Sequence, residues 1–203
     1  MKLIKQLWRK INRGLKTHQG YEAGSQTDNA QRMGLLVLAY CLAMPVSADL
    51  SQVESRIVEV AKQQKEPAIA LLEEVVNINS GTMNLAGVKA VGEVFQRELD
   101  ALGFDTEWHD MSAVNRSGHL FATIGSGNVC QLLIGHLDTV FEPSSAFQQF
   151  RRTGDEAIGP GVNDMKGGDV VMVYALKALK EAGVLDQGKY IVALIGDEEK
   201  SGS

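Results

Sequence analysis

The chain has 203 residues, 44% apolar and 22% charged, which suits one sizeable globular domain or one and a half small ones. Its net charge of −5 is unevenly split: residues 1–48 hold seven basic groups against Glu22 and Asp28, while residues 49–203 hold 13 basic and 23 acidic ones. A body this acidic has no electrostatic footprint for nucleic acid or an anionic membrane surface.

Residues 1–48 have the three regions of a secretory signal peptide. Basic residues precede an apolar run from Met33 to Met44, and Pro45-Val46-Ser47-Ala48 supplies a small-residue cut site before Asp49. The expectation is therefore an exported, periplasmic or secreted protein. The run is about a dozen residues, short of the roughly 20 that span a bilayer, so no stable membrane span is expected after cleavage. An uncleaved membrane anchor, or an extension from an over-long start, stays open as an alternative. Tyr40 is too large for the position before a lipidated Cys41, which excludes a lipoprotein box. Cleavage leaves Cys130 alone, so no internal disulfide is expected. Its apolar strand context reads as a small buried hydrophobe.

From Asp49 helical and strand patterns alternate. Asp49 or Ser51 caps a helix through Val53, Ile57, Val60 and Ala61, and Pro67 starts a second over residues 68–76. Asn84 begins a third, with Val88, Val91, Phe95 and Leu99 at helical spacing and Gly103 as its left-handed stop. Strands are expected over 104–108, 119–124 and 129–134, then an amphipathic helix over 169–182 and a strand over 190–195. Helices alternating with buried strands predict an α/β fold: a three-layer sandwich with a largely parallel central sheet.

Three short segments carry the chemistry. His136-Leu137-Asp138 follows an apolar strand, where ligands bind in open α/β sheets. Asp138 is placed to orient the imidazole as a second carboxylate partner. The loop Gly159-Pro160-Gly161-Val162-Asn163-Asp164-Met165-Lys166-Gly167-Gly168 turns sharply around one aspartate and lacks the spacing of a phosphate loop. Asp197-Glu198-Glu199 follows the last strand, and three adjacent acids are most tolerable in solvent or beside a dication. Each segment alone also fits a solvated turn. Together they offer imidazole and carboxylates, the donors Zn²⁺ prefers where no cysteine cluster exists.

The three segments in this order resemble the zinc-dependent family of glutamate carboxypeptidases (carboxypeptidase G type), aminoacylases, acetylornithine deacetylases and succinyl-diaminopimelate desuccinylases. The resemblance extends over residues 55–203, including the GTMNLAGV stretch before the third helix. It implies the first part of a phosphorylase/hydrolase-like zinc peptidase catalytic domain after a leader over 1–48. It also implies a two-zinc centre in which His136 binds one ion, Asp164 bridges both and Glu199 binds the other. Glu198 would be the general base and Asp138 would orient His136. Two ions about 3.5–4 Å apart hold a shared water and polarise the scissile carbonyl. The implied substrate is a peptide or N-acyl amino acid, with C-terminal glutamate favoured by the closest likeness, and the full-length family member is a homodimer. The family also takes a further acid and a histidine from beyond this stretch, so His136, Asp164 and Glu199 are three of five implied ligands. The dimerisation domain is likewise outside it. Residues 1–203 alone are therefore expected to be inactive. The other reading is a non-catalytic truncated or decayed fragment with at most one weak metal site.

Overall fold

The computed structural model describes residues 49–201, and the expected leader over 1–48 lies outside them. Ser51 opens helix α1 (Gln52–Gln63) with a capping box: its hydroxyl accepts from the Glu54 N–H, and the Glu54 carboxylate accepts from the Ser51 N–H. Helix α2 (Lys65–Val76) starts two residues before the expected Pro67, which sits in the first turn where its missing N–H costs nothing. Helix α3 (Leu85–Leu102) begins at Asn84, whose side chain accepts from the Gly87 N–H, and stops at Gly103 with φ of 90°. Both ends lie where the sequence puts them.

Strands β1 (Asp105–Asp110), β2 (Gly118–Ile124), β3 (Cys130–His136) and β6 (Lys189–Ile195) form one sheet in the order β1-β2-β6-β3. A small hairpin, β4 (Arg151–Thr153) with β5 (Glu156–Ile158), stands apart from it. Helix α4 (Lys166–Glu181) lies between β5 and β6 in the chain. The α/β class is as expected, but the sheet is not largely parallel. β1/β2 and β2/β6 are antiparallel, and only β3/β6 is parallel among the described residues. Connection length explains this. Seven residues between β1 and β2 cannot cross over a sheet, whereas α4 supplies a full crossover between β3 and β6.

One face of the sheet presents Leu120, Ala122, Val192 and Leu194 to α3 and α4, and they share a core with Val88, Val91, Phe95, Leu99, Val170, Val173 and Leu176. α1 and α2 pack on α4 behind that layer. On the other face Leu132 and Ile134 of β3 are 57% and 61% exposed. Cys130, expected to be a buried hydrophobe, is exposed because β3 is the last strand of the order and no element among the described residues covers it there. Among the described residues no helix is long and apolar enough to cross a membrane.

Phe95 lies fully buried at the centre of this core. Phe95→Ala should lower stability in urea by about 3–5 kcal/mol, whereas Val171→Ala, at a site 70% exposed on α4, should change it by less than about 0.5 kcal/mol.

Candidate metal centre

The parallel register sets Gly135 beside Leu194 and His136 beside Ile195. The carboxyl ends of β3 and β6 therefore deliver His136 and residues 197–199 to one rim, as the position of ligand sites in open α/β sheets anticipates. Residues 80–82 run along the same rim. Thr139 donates its N–H to the Ser80 carbonyl at 2.9 Å, and Thr82 donates to the Thr139 carbonyl at 3.3 Å.

Asp138 lies fully buried at the junction of these segments. Its Oδ2 accepts from the Thr82 hydroxyl at 2.7 Å and from the Glu199 N–H at 3.0 Å, while Oδ1 accepts from the Glu198 N–H at 3.2 Å. Burial alone would raise its pKa, but His136, the Thr82 hydroxyl and the Glu199 N–H outweigh it and hold the carboxyl below its usual range. The sequence assigned Asp138 only to His136. The structure also has it fixing the backbone of the acidic run.

His136 is buried, with Nδ1 3.1 Å from the Asp138 backbone carbonyl and 3.4 Å from its Oδ1. A carbonyl can only accept, so Nδ1 carries a proton and Nε2 is the nitrogen left for a ligand. Nε2 faces Asp164 Oδ1 at 3.0 Å. Burial disfavours the imidazolium, yet the hydrogen bonds to Asp138 and Asp164 overcome it and raise the pKa to about 9.

Asp164 reaches this point from the glycine-rich loop. Gly161 adopts φ of +77° there, and a Cβ on it would lie 3.0 Å from the side chains of Lys166 and Thr139. Asp164 itself stays open, its side chain 73% exposed. Helix α4 begins at Lys166, three residues earlier than expected, so Gly167 and Gly168 lie in its first turn.

His136, Glu198 and Glu199 each offer a ligand atom, all within 4.8 Å of one another. Asp164 contacts His136 but stands outside that group. Glu199 has its pKa raised by burial and then by the charges of Asp164, Asp138 and Glu198, with His136 acting the other way. An imidazole with two carboxylates, whose mutual repulsion a dication would relieve, fits Zn²⁺. His109 and His119 lie in β1 and β2; His119 Nδ1 accepts from the Gly196 N–H at 3.1 Å.

Three participants were not singled out from the sequence. Thr82 falls in the GTMNLAGV stretch, but nothing local marks its hydroxyl as Asp138's partner. Lys166 and Asp169 are both fully buried at the start of α4. Among the described residues the Asp169 carboxylate has no hydrogen-bond partner, and it lies so close under Gly135 that a Cβ there would approach its Oδ1 to 1.9 Å. Burial pushes its pKa up to about 8, against the pull of His136 and Lys166.

Residues 132–203 match the family model "Peptidase family M20/M25/M40". Over this stretch the chain is similar to that peptidase family. The family likeness extends upstream of it. Carboxypeptidase G2 from Pseudomonas sp. (strain RS-16) is 38% identical over 154 residues, covering 74% of this chain and 37% of that protein. A probable succinyl-diaminopimelate desuccinylase of Staphylococcus aureus (strain MRSA252) is 29% identical over 138 residues, covering 65% of this chain and 32% of its own length. The chain thus spans about a third of the length of the curated relatives it matches. In fold, it is similar to the di-peptidase Dug1p from Saccharomyces cerevisiae, with a TM-score of 0.62 at 17% identity over 72% of this chain and 35% of that one. An M20 family metallo-carboxypeptidase, Sso-CP2 from Sulfolobus solfataricus, gives a TM-score of 0.54 at 18% identity over 65% and 31%.

The charge state of the site makes stability depend on pH in a defined window. Without metal, His136 has a raised pKa, so its contribution is complete below its ordinary value of 6.5 and is lost as pH rises through about 9. Asp138 has a lowered pKa, so its contribution is complete above its ordinary value of 3.8 and is lost as pH falls through its folded value. In chelator-treated protein, urea denaturation should therefore show the stability gap between wild type and His136→Ala shrinking between pH 6.5 and 9. A gap that stays constant over that interval would rule out the pairing.

Proposed function

We propose that this chain is the first part of a zinc-dependent hydrolase that cleaves an amide bond in a peptide or N-acyl amino acid, in the manner of a glutamate carboxypeptidase. The observation that carries this reading is the convergence of His136, Glu198 and Glu199 within 4.8 Å, with Asp164 at 3.0 Å from the free face of His136. His136, Asp164 and Glu199 would hold zinc, two ions being present in a complete family member. Bound zinc supplies a water of lowered pKa and a Lewis acid for the scissile carbonyl.

The chain's own groups do the rest. Asp138 holds the Nδ1 side of His136 and so aims Nε2 at the ligand side of the rim. Glu198 takes a proton from the attacking water and delivers it to the departing amine. Its backbone N–H is pinned to Asp138, which fixes where that carboxylate starts from.

Preference for a C-terminal glutamate is supported by resemblance to the glutamate carboxypeptidases. Export is supported by the leader pattern over 1–48, and dimerisation of the full-length protein by the family resemblance. Residues 1–203 alone we take to be inactive, because the Asp164 side of the site lies open to solvent and the chain spans about a third of its relatives.

Equilibrium dialysis of chelator-treated protein against Zn²⁺ should find metal on the wild type and at least tenfold weaker binding by His136→Ala. Zinc uptake indifferent to that substitution would sink the metal-centre reading. With zinc added, residues 1–203 should release no glutamate from an N-acylglutamate or folate-type substrate. Robust release would overturn the inactivity while leaving the centre standing.

A further inference from the structure

Lys166 is fully buried, and that burial lowers its pKa to about 7. Its Nζ donates to the Val75 carbonyl at 2.8 Å and to the Ile78 carbonyl at 2.9 Å. Val75 lies in the last turn of α2, where carbonyls lack helical partners and the macrodipole is negative. That last turn contains no basic residue of its own. The donor that serves it comes instead from the first residue of α4.

The second bond ties this lysine to the metal rim. Ile78 begins the short segment that carries Ser80, paired to Thr139, and Thr82, hydrogen-bonded to Asp138. The stem of Lys166 runs under Gly161, at a spacing where an added Cβ would already touch it at 3.0 Å. Gly167, next to it, donates to the Gly161 carbonyl at 3.3 Å, closing the loop that presents Asp164. One side chain thus joins the Asp164 loop to the segment that locks Asp138 and, through it, His136.

We propose that Lys166 is a positioning residue for the metal centre: by capping α2 and gripping Ile78, it sets Asp164 against His136. This rests on the metal-centre reading above. It gives the buried lysine a role that neither core packing nor direct ligation supplies, since Nζ is engaged by two backbone carbonyls and an alkyl side chain would pack as well.

Co²⁺ titration of the whole chain tests it, because visible absorption reports both affinity and the ligand set. Lys166→Met keeps the stem and removes the donors. It should weaken Co²⁺ binding at least tenfold, and its spectrum should change in the same way as that of Asp164→Asn. In the double variant the two losses should not multiply, because the lysine acts through that carboxylate. Lys166→Gln, which retains a donor, should recover part of the affinity. Multiplying losses, or unchanged binding by Lys166→Met when Asp164→Asn is impaired, would overturn the positioning role alone. If both lysine variants unfold in circular dichroism and urea titration, Lys166 is merely structural and the proposal fails. Absence of Co²⁺ binding by the wild type would instead sink the metal-centre reading, and this inference with it.

Discussion

A buried carboxylate, that of Asp138, is the constraint on which the rest of the rim depends. A lone ionised group in this position would cost several kcal/mol in desolvation. Three donors offset it: the Thr82 hydroxyl and the backbone N–H groups of Glu198 and Glu199. His136 adds a fourth partner, with Nδ1 3.4 Å from Oδ1. These partners come from three separate stretches of chain, and each is held because the carboxylate would otherwise be unsatisfied. The site is therefore preassembled by protein hydrogen bonds on its buried side. Its acidic, ligand-facing side is left with repulsion that His136 relieves only in part.

That division has a chemical corollary. In the metal-free chain the imidazolium of His136 does part of a dication's work: it faces Asp164 through Nε2 and offsets the negative charge around Glu199. A metal ion must displace this proton, because only the neutral ring can ligate. Apparent affinity is thereby coupled to pH over the whole interval in which His136 is held protonated. The surrounding carboxylates both attract the metal and stabilise its competitor.

The sequence made some of this legible and left the rest dark, for physical reasons. α3 could be read to the residue, because Asn84 and Gly103 act through local backbone chemistry. His136, Asp138, Asp164 and the 197–199 run were visible because each lies at the end of an apolar strand or in a glycine-rich loop. Sheet pairing was misjudged because a periodic apolar pattern does not carry strand direction. The run of β1, β2 and β3 with no α-helix between them was the available clue to antiparallel pairing. The β4/β5 hairpin escaped since its short strands are mostly exposed and show no apolar alternation. Thr82 and Lys166 were missed for a different reason. Their partners are 56 to 91 residues away, and neither residue type announces such a bond locally.

The uncovered β3 has a consequence for handling the protein. Its stretch Cys130-Gln131-Leu132-Leu133-Ile134-Gly135 contains no charge and no proline, and it lies at the end of the strand order with Leu132 and Ile134 in water. Native edge strands are usually guarded by lysine, proline or a bulge against pairing with another chain. Here those guards are missing over six residues, the length at which short apolar segments begin to stack into fibrils. Prepared on its own, a polypeptide with this edge will tend toward turbid solutions and inclusion bodies. Solubility, more than fold, will set the concentration at which its metal chemistry can be measured.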